Sequence, residues 1–511
     1  MTYIVLSSYI LWSHEKDSRG LGTHQHTMFI DWKKLLKFVG PGLLVSCAYI
    51  DPGNYSTSTA AGAQFHYSHL FIILLSNIFA VILQCLCIKL GTVTGLDLAE
   101  NCRKHLPPWL NLTNYILAEI AVIFTDLAEV VGSAIAFNIL FNIPLKIGVL
   151  LTILDVLAII FAYNPDGSMK HIRKFELFVS ALVLLTFGCF MVLLTKVNIE
   201  SKMDVLEGFL PSKILFKEKN AVYLGLGIIG ATVMPHSLYL GSNLVKPRLR
   251  EFDLQADSYS CEDHGDGSSS HKPSLNAIKY CLNYSYIELI LSLCVIAIFI
   301  NSSILIISAA ALFGKPGAED ADLLSIYEML CSYISKQAGL IFALAMFFSA
   351  IAAGVICTMS GMIIAEGSVK WTFNPFFRRL FTRTISIIPC LFMALFSGRS
   401  GVATILNLSQ VVLSLILPFV TAPLLFFTAN KAIMTVKVHA DTPTNEGIRE
   451  GDQEEVSENT ALFQEHQSDV KSIDFSNSLV MNVLGISSWL IIGFLNIYLI
   501  TQWIRGEDIH F

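Results

Sequence analysis

The sequence predicts an all-α polytopic membrane protein with 11 transmembrane helices, two of them broken near mid-membrane. Three observations carry that reading. The 511 residues are 54% hydrophobic and 14% charged, whereas soluble domains are about 25% charged. A soluble chain of this size would divide into several domains, each needing a charged surface that this composition cannot supply. Apolar runs of spanning length recur along the chain. Two of those runs contain proline where an uninterrupted helix would be expected. The 11 cysteines are odd in number and scattered singly, which excludes a secreted disulfide scaffold. A net charge of −6 argues against a nucleic-acid partner.

In chain order, residues 1–34 form a cytoplasmic N-terminal segment whose opening MTYIVLSSYILW is too short to span and lacks the marks of a signal peptide. Apolar runs follow near 35–65, 67–93, 114–141, 144–163, 173–196, 221–246, 280–311, 338–367, 380–397, 402–428 and 479–503. They must be helices, because a lipid-exposed backbone has to satisfy its own polar groups. Lys170, Arg173 and Lys174 in one loop, with Arg378, Arg379 and Arg383 in another, place the N-terminus in the cytoplasm by the positive-inside rule. Residues 251–276 are rich in Ser, Asp, His and Gly, and 438–476 are acidic and polar. Both read as disordered cytoplasmic loops. His264 and His271 have no tight ligand spacing to make them a metal site.

The first run carries Asp51-Pro52-Gly53-Asn54 in its middle, and the sixth carries Met234-Pro235-His236. Pro52, Gly53 and Pro235 should interrupt both helices, and freed carbonyls at membrane depth are tolerated only where they line a cavity or bind something. Breaks in runs one and six suggest two five-helix halves, 35–196 and 221–428. Matching interruptions in two halves point to the substrate site of an inverted-repeat transporter.

The breaks are dressed with ligand chemistry. Asp51 is an ionisable group deep in an apolar run, the usual mark of an ion or proton pathway. Asn54 offers an amide oxygen, Ala231 a carbonyl if the helix unwinds there, and Met234 a thioether. Oxygen ligands alone suit Ca²⁺ and Mg²⁺, while a thioether favours softer first-row metals. In the third run, Glu119, Asp126 and Glu129 stand at i, i+7 and i+10 on one helix face. That pattern suits a proton route, or ion pairing for which Arg378, Arg379 and Arg383 are candidate partners. His236 is either a group titrating near neutral pH or a packing residue. Asp155 is a weaker relay candidate. Gln410, in SQVVLSLILPF, is either a further metal ligand or a helix–helix hydrogen bond.

DPGN at 51–54, TDLAEV at 125–130, GATVMPHSLYLGS at 230–242 and SQVVLSLILPF at 409–419 resemble the natural-resistance-associated macrophage protein (Nramp) family over roughly residues 35–430. The nearest resemblance is to its fungal manganese and iron transporters. It implies a LeuT-like 5+5 inverted repeat and proton-coupled import of Mn²⁺ or Fe²⁺. By position it implies metal ligands at Asp51, Asn54, the Ala231 carbonyl and the Met234 sulfur, with Gln410 joining in some states. It implies proton-path roles for Asp126, Glu129 and His236. The chain departs from the family's span-eight glutamines, with Ile351 and Met362 at those positions, and carries Ile416 where a second span-ten glutamine is common.

The leading expectation is a proton-coupled symporter importing divalent transition metals, Mn²⁺ ahead of Fe²⁺. The alternatives are an amino-acid symporter of the same fold and a metal sensor that binds without turnover. No enzyme motif is present, and no resident cofactor is expected, since Mn²⁺, Fe²⁺ and protons are substrates. The expected partners are those ions and a lipid bilayer, of the plasma membrane, the vacuole or the secretory pathway.

Overall fold

The computed structural model describes residues 40–162, 169–263, 269–315, 322–370, 375–396, 398–439 and 470–505. The N-terminal segment 1–34, His264 and residues 440–469 lie outside these, as do the side chains of Asp155, Arg378 and Arg379. The helices are α1 (Pro41–Ala48), α2 (Pro52–Phe65), α3 (Leu70–Thr94), α4 (Leu98–His105), α5 (Pro108–Phe141), α6 (Leu145–Ala162) and α7 (Met169–Lys196). Short α8 (Lys202–Glu207) and α9 (Ile214–Lys217) lead to α10 (Lys219–Thr232), α11 (Pro235–Asn243) and α12 (Lys246–Gln255). After the hairpin β1 (Ser260–Asp263) and β2 (Ser269–Lys272), α13 (Leu275–Leu291) continues through a π-helical turn into α14 (Ile298–Leu312). Then come α15 (Leu323–Met329), α16 (Lys336–Val369), α17 (Pro375–Phe396), α18 (Gly398–Ala429) and α19 (Lys431–Met434). A second hairpin, β3 (Thr435–His439) with β4 (Val470–Asp474), precedes α20 (Leu479–Ile504).

Among the described residues, eight helical stretches are long and apolar enough to cross a membrane. The predicted fourth and ninth spans contain shorter apolar stretches, Leu145–Leu154 and Leu380–Phe396, and the first is divided into α1 and α2. The stretch Asn220–Gln255 is wholly interior in its most apolar window, whereas Leu479–Ile504 is only 28% buried there. On α20, Val483, Ile486, Leu490, Phe494 and Ile497 are exposed. Such an uncovered apolar face suits hydrocarbon rather than water.

Both predicted breaks are present and built alike. Chain restarts at Pro52 and at Pro235, each at the first helical position, where proline's missing N–H costs nothing. Side chains from neighbouring helices take the carbonyls that the first break frees: Asn301 Nδ2 of α14 donates to Tyr49 O at 2.9 Å, and Ser349 Oγ of α16 donates to Ile50 O. Glu288 Oε1 of α13 accepts from Gly40 N (2.6 Å) and Gly42 N (3.1 Å), which satisfies the open N–H groups at the start of α1. Beside it, Arg248 and Glu176 form a two-bond ion pair at 3.1 and 3.0 Å, with both side chains buried.

Proline also explains how α20 docks. Pro418 has no N–H to give the carbonyl four residues back. Asn496 Nδ2 of α20 donates to that Ser414 carbonyl at 2.8 Å, and Trp489 Nε1 donates to Pro418 O at 2.8 Å.

The two segments read as disordered carry structure where they are described. Within 251–276 lie the end of α12 and the β1–β2 hairpin. Fully buried Asp253 organises them: His271 Nε2 (2.9 Å), Ser274 N (3.0 Å), Ser274 Oγ (2.5 Å) and Ser258 Oγ (3.2 Å) all donate to its carboxylate. A polar composition reads as linker, yet its polar groups here bond one another around one acceptor. His271 is thereby engaged with Asp253. Likewise, β3 and β4 pair across the ends of 438–476, from Thr435 opposite Asp474 to His439 opposite Val470.

Candidate metal centre

The two breaks face each other. Asp51 caps α2: its carboxylate accepts from Gly53 N (3.1 Å), Asn54 N (3.0 Å) and Asn54 Nδ2 (2.9 Å). Asn54 Nδ2 also donates to the Ala231 carbonyl of α10 at 2.7 Å, and Thr232 Oγ1 donates to Asn54 Oδ1 at 3.2 Å. Met234 caps the start of α11, and Asp51, Asn54, Ala231 and Met234 are all buried. One carboxylate, one amide and one unwound-helix carbonyl therefore belong to a single buried seam between α2 and the α10–α11 break, with Met234 buried where α11 begins.

Gln410 is at this seam too. A Cβ on Gly53 would strike the Gln410 carboxamide, and one on Gly230 would strike the Gln410 carbonyl. Helix α18 is thus packed directly on both breaks, at a closeness only glycine allows. Gln410 Nε2 donates to Ser409 Oγ at 2.9 Å, while its buried Oε1 has no hydrogen-bond partner. A buried acceptor with no donor is costly, and beside an Asp and an amide it suits a cation. Ile416 is buried on the same helix, and Ile351 and Met362 are half-buried on α16.

The acids of α5 form a second group. Arg383 of α17 lies 2.6 Å from Asp126 Oδ1 and 3.6 Å from Glu129 Oε2, and all three side chains are buried. Arg383 also donates to the Thr152 carbonyl of α6 at 3.2 Å. Of the three arginines singled out in sequence, Arg383 is the one the described side chains bring to the acids. Glu119 is half-buried two turns earlier, about 10 Å along the helix axis. His236 connects the two groups: its Nδ1 is 3.3 Å from Thr125 Oγ1, next to Asp126. Thr125 Oγ1 also donates to Ala121 O at 3.0 Å. Cys357 of α16 completes a buried trio with Asp126 and Glu129, its ligand atom within 4.8 Å of theirs.

A profile described as natural resistance-associated macrophage protein-like (Nramp) matches residues 42–442. The chain belongs to the Nramp family. The iron transporter SMF3 of Saccharomyces cerevisiae is 55% identical to this Nramp protein over 94% of the chain and 98% of its own length. The manganese transporter SMF2 of the same yeast is 49% identical, covering 94% and 90%. A crystal structure of a mutant manganese transporter from Eremococcus coleocola superposes with a TM-score of 0.72 at 27% identity, covering 96% of this chain and 91% of that one. The all-helical Nramp fold with its broken helices is therefore the fold of this chain.

Several site residues escape sequence reasoning. Gln84 of α3 donates to Tyr49 OH (2.9 Å) and Ser237 O (3.0 Å), tying one break to the other. Thr232, Asn301 and Ser349 hold the unwound segments. A small polar residue in an apolar helix is their only signal, and many such residues merely bond their own helix.

Proposed function

We propose that this chain is a proton-coupled symporter that imports divalent transition metals, Mn²⁺ first and Fe²⁺ as well, into the cytosol. The observation that carries the reading is the seam where Asp51, Asn54 and the Ala231 carbonyl meet, with Met234 buried at the start of α11 and Gln410 packed on both breaks. A single carboxylate with neutral oxygens and one sulfur binds a dication without the all-oxygen cage that Ca²⁺ prefers. The relatives' names, an iron transporter and a manganese transporter, support the same substrates.

Protons would move through the Asp51, Glu129 and Asp126 region, with His236 as a titrating partner and Arg383 as counter-charge. Glu119, Arg378 and Arg379 are the outer candidates for this route. The halves 35–196 and 221–428 would rock about the metal, in an 11-span topology with a cytoplasmic N-terminus. The test is Mn²⁺ uptake into proteoliposomes under an imposed pH gradient, with lumenal pH recorded alongside. Mn²⁺-dependent acidification is expected; uptake that moves no protons would reject the coupling, and no uptake would reject the reading.

Met234 makes a separable prediction. The Met234→Ala variant should lose discrimination against Ca²⁺ by more than it loses Mn²⁺ transport, because Ca²⁺ has little use for a thioether. Competition of Ca²⁺ against Mn²⁺ uptake measures this, and unchanged Ca²⁺ exclusion would count against a soft ligand.

A further inference from the structure

The Asn54 carboxamide uses every hydrogen-bonding group it has. Its two protons go to Asp51 Oδ1 and Ala231 O, at 2.9 and 2.7 Å, and its oxygen accepts from Thr232 Oγ1 at 3.2 Å. All four residues are buried. The partners dictate this orientation. Turned half-way round, the amide oxygen would stand against two other acceptors. Three oxygens face to face in a buried seam are favourable only around a cation.

We propose that Thr232 is a positioning residue for the return of the metal-free carrier. By donating to Asn54 Oδ1, it aims the amide protons at Asp51 and Ala231, where they take the place of the cation and keep the two broken helices closed on each other. A symporter must reorient without its metal once in every net cycle. Two buried acceptors opposed across α2 and α10, with no donor between them, would hinder that step. The proposal rests on the reading that Asp51, Asn54 and Ala231 hold the metal. Thr232 acts through Asn54, and its hydroxyl matters to the setting in which the amide protons stand in for the cation.

Two fluxes separate this role from others. Net Mn²⁺ uptake driven by a proton gradient requires the metal-free return. Exchange of labelled for unlabelled Mn²⁺, saturating on both sides, does not. Thr232→Val keeps the shape and removes the hydroxyl; Thr232→Ser keeps the hydroxyl. In full-length protein reconstituted in liposomes, Thr232→Val should lower net uptake about fivefold, the equivalent of one hydrogen bond of about 1 kcal/mol, with exchange within about twofold of the unsubstituted chain. Thr232→Ser should restore net uptake. Unchanged net uptake in Thr232→Val overturns the proposal, and so does an equal loss of both fluxes, which would assign the hydroxyl to the loaded site or to packing. No exchange by the unsubstituted chain overturns instead the metal reading beneath it.

Discussion

Asp51→Ala is expected to abolish metal uptake, with a loss of at least about 100-fold. Asp51 supplies the only carboxylate among the four proposed ligands. Leaving a buried charge without its opposite costs about 3–5 kcal/mol, and every 1.4 kcal/mol is about tenfold in affinity. The substitution also removes the cap of α2, whose Gly53 and Asn54 N–H groups the carboxylate accepts. That is a stability effect of about 1 kcal/mol and must be kept apart. Asp51→Asn separates the two, because Asn caps a helix as well as Asp does and carries no charge. The Asn variant should unfold at nearly the temperature of the unsubstituted chain and still fail to transport. Mn²⁺ flux and thermal unfolding of the purified variants decide the matter. Full flux from either variant would remove Asp51 from the metal site.

The breaks were legible because Pro52 and Pro235 stand among ligand-type neighbours: each restarts a helix, whereas Pro418 lies inside α18. The composition of the flanking residues then pointed to the proposed ligands. Legibility ended where contact between distant segments decides. Arg378, Arg379 and Arg383 are equivalent in sequence, and only the packing of α17 on α5 brings Arg383 to Asp126. Gln410 reads equally well as a ligand or as a helix–helix bond, and that it lies against both breaks, at Gly53 and Gly230, emerges only from the packing of α18. Glu176 and Glu288 carry the same signal as Asp51, an ionisable group inside an apolar run. No helix breaker marks them, and their partners Arg248 and Gly40 are far away in the chain. The segment 251–276 misled for a related reason. Its polarity is typical of a linker, and what orders it is a shared acceptor, Asp253, that no local pattern announces.

The acid pair on α5 yields the other large effect. Arg383→Met removes a cation 2.6 Å from Asp126 and 3.6 Å from Glu129 in a buried setting. Breaking a buried pair from one side costs about 3–5 kcal/mol, whereas replacing both partners by neutral groups is often tolerated. Arg383→Met alone should therefore fold poorly, and Arg383→Met with Asp126→Asn should recover most of the stability. Thermal unfolding of both variants measures the coupling between the two sites. Transport then separates a structural pair from a proton route. If Asp126 carries protons, the recovered double variant should bind and move Mn²⁺ with little accompanying acidification, because its amide cannot take up and release a proton. Acidification at the unsubstituted level would confine the pair to holding α5 against α17. A double variant as unstable as the single would show that Arg383 supports the fold through the Thr152 carbonyl and Glu129 instead. The acid pair lies close to both breaks: His236 of α11 reaches Thr125, and Gly132 of α5 packs directly on Pro52. Loss of proton movement with metal movement retained is the outcome expected if Asp126 carries protons and takes no part in holding Mn²⁺.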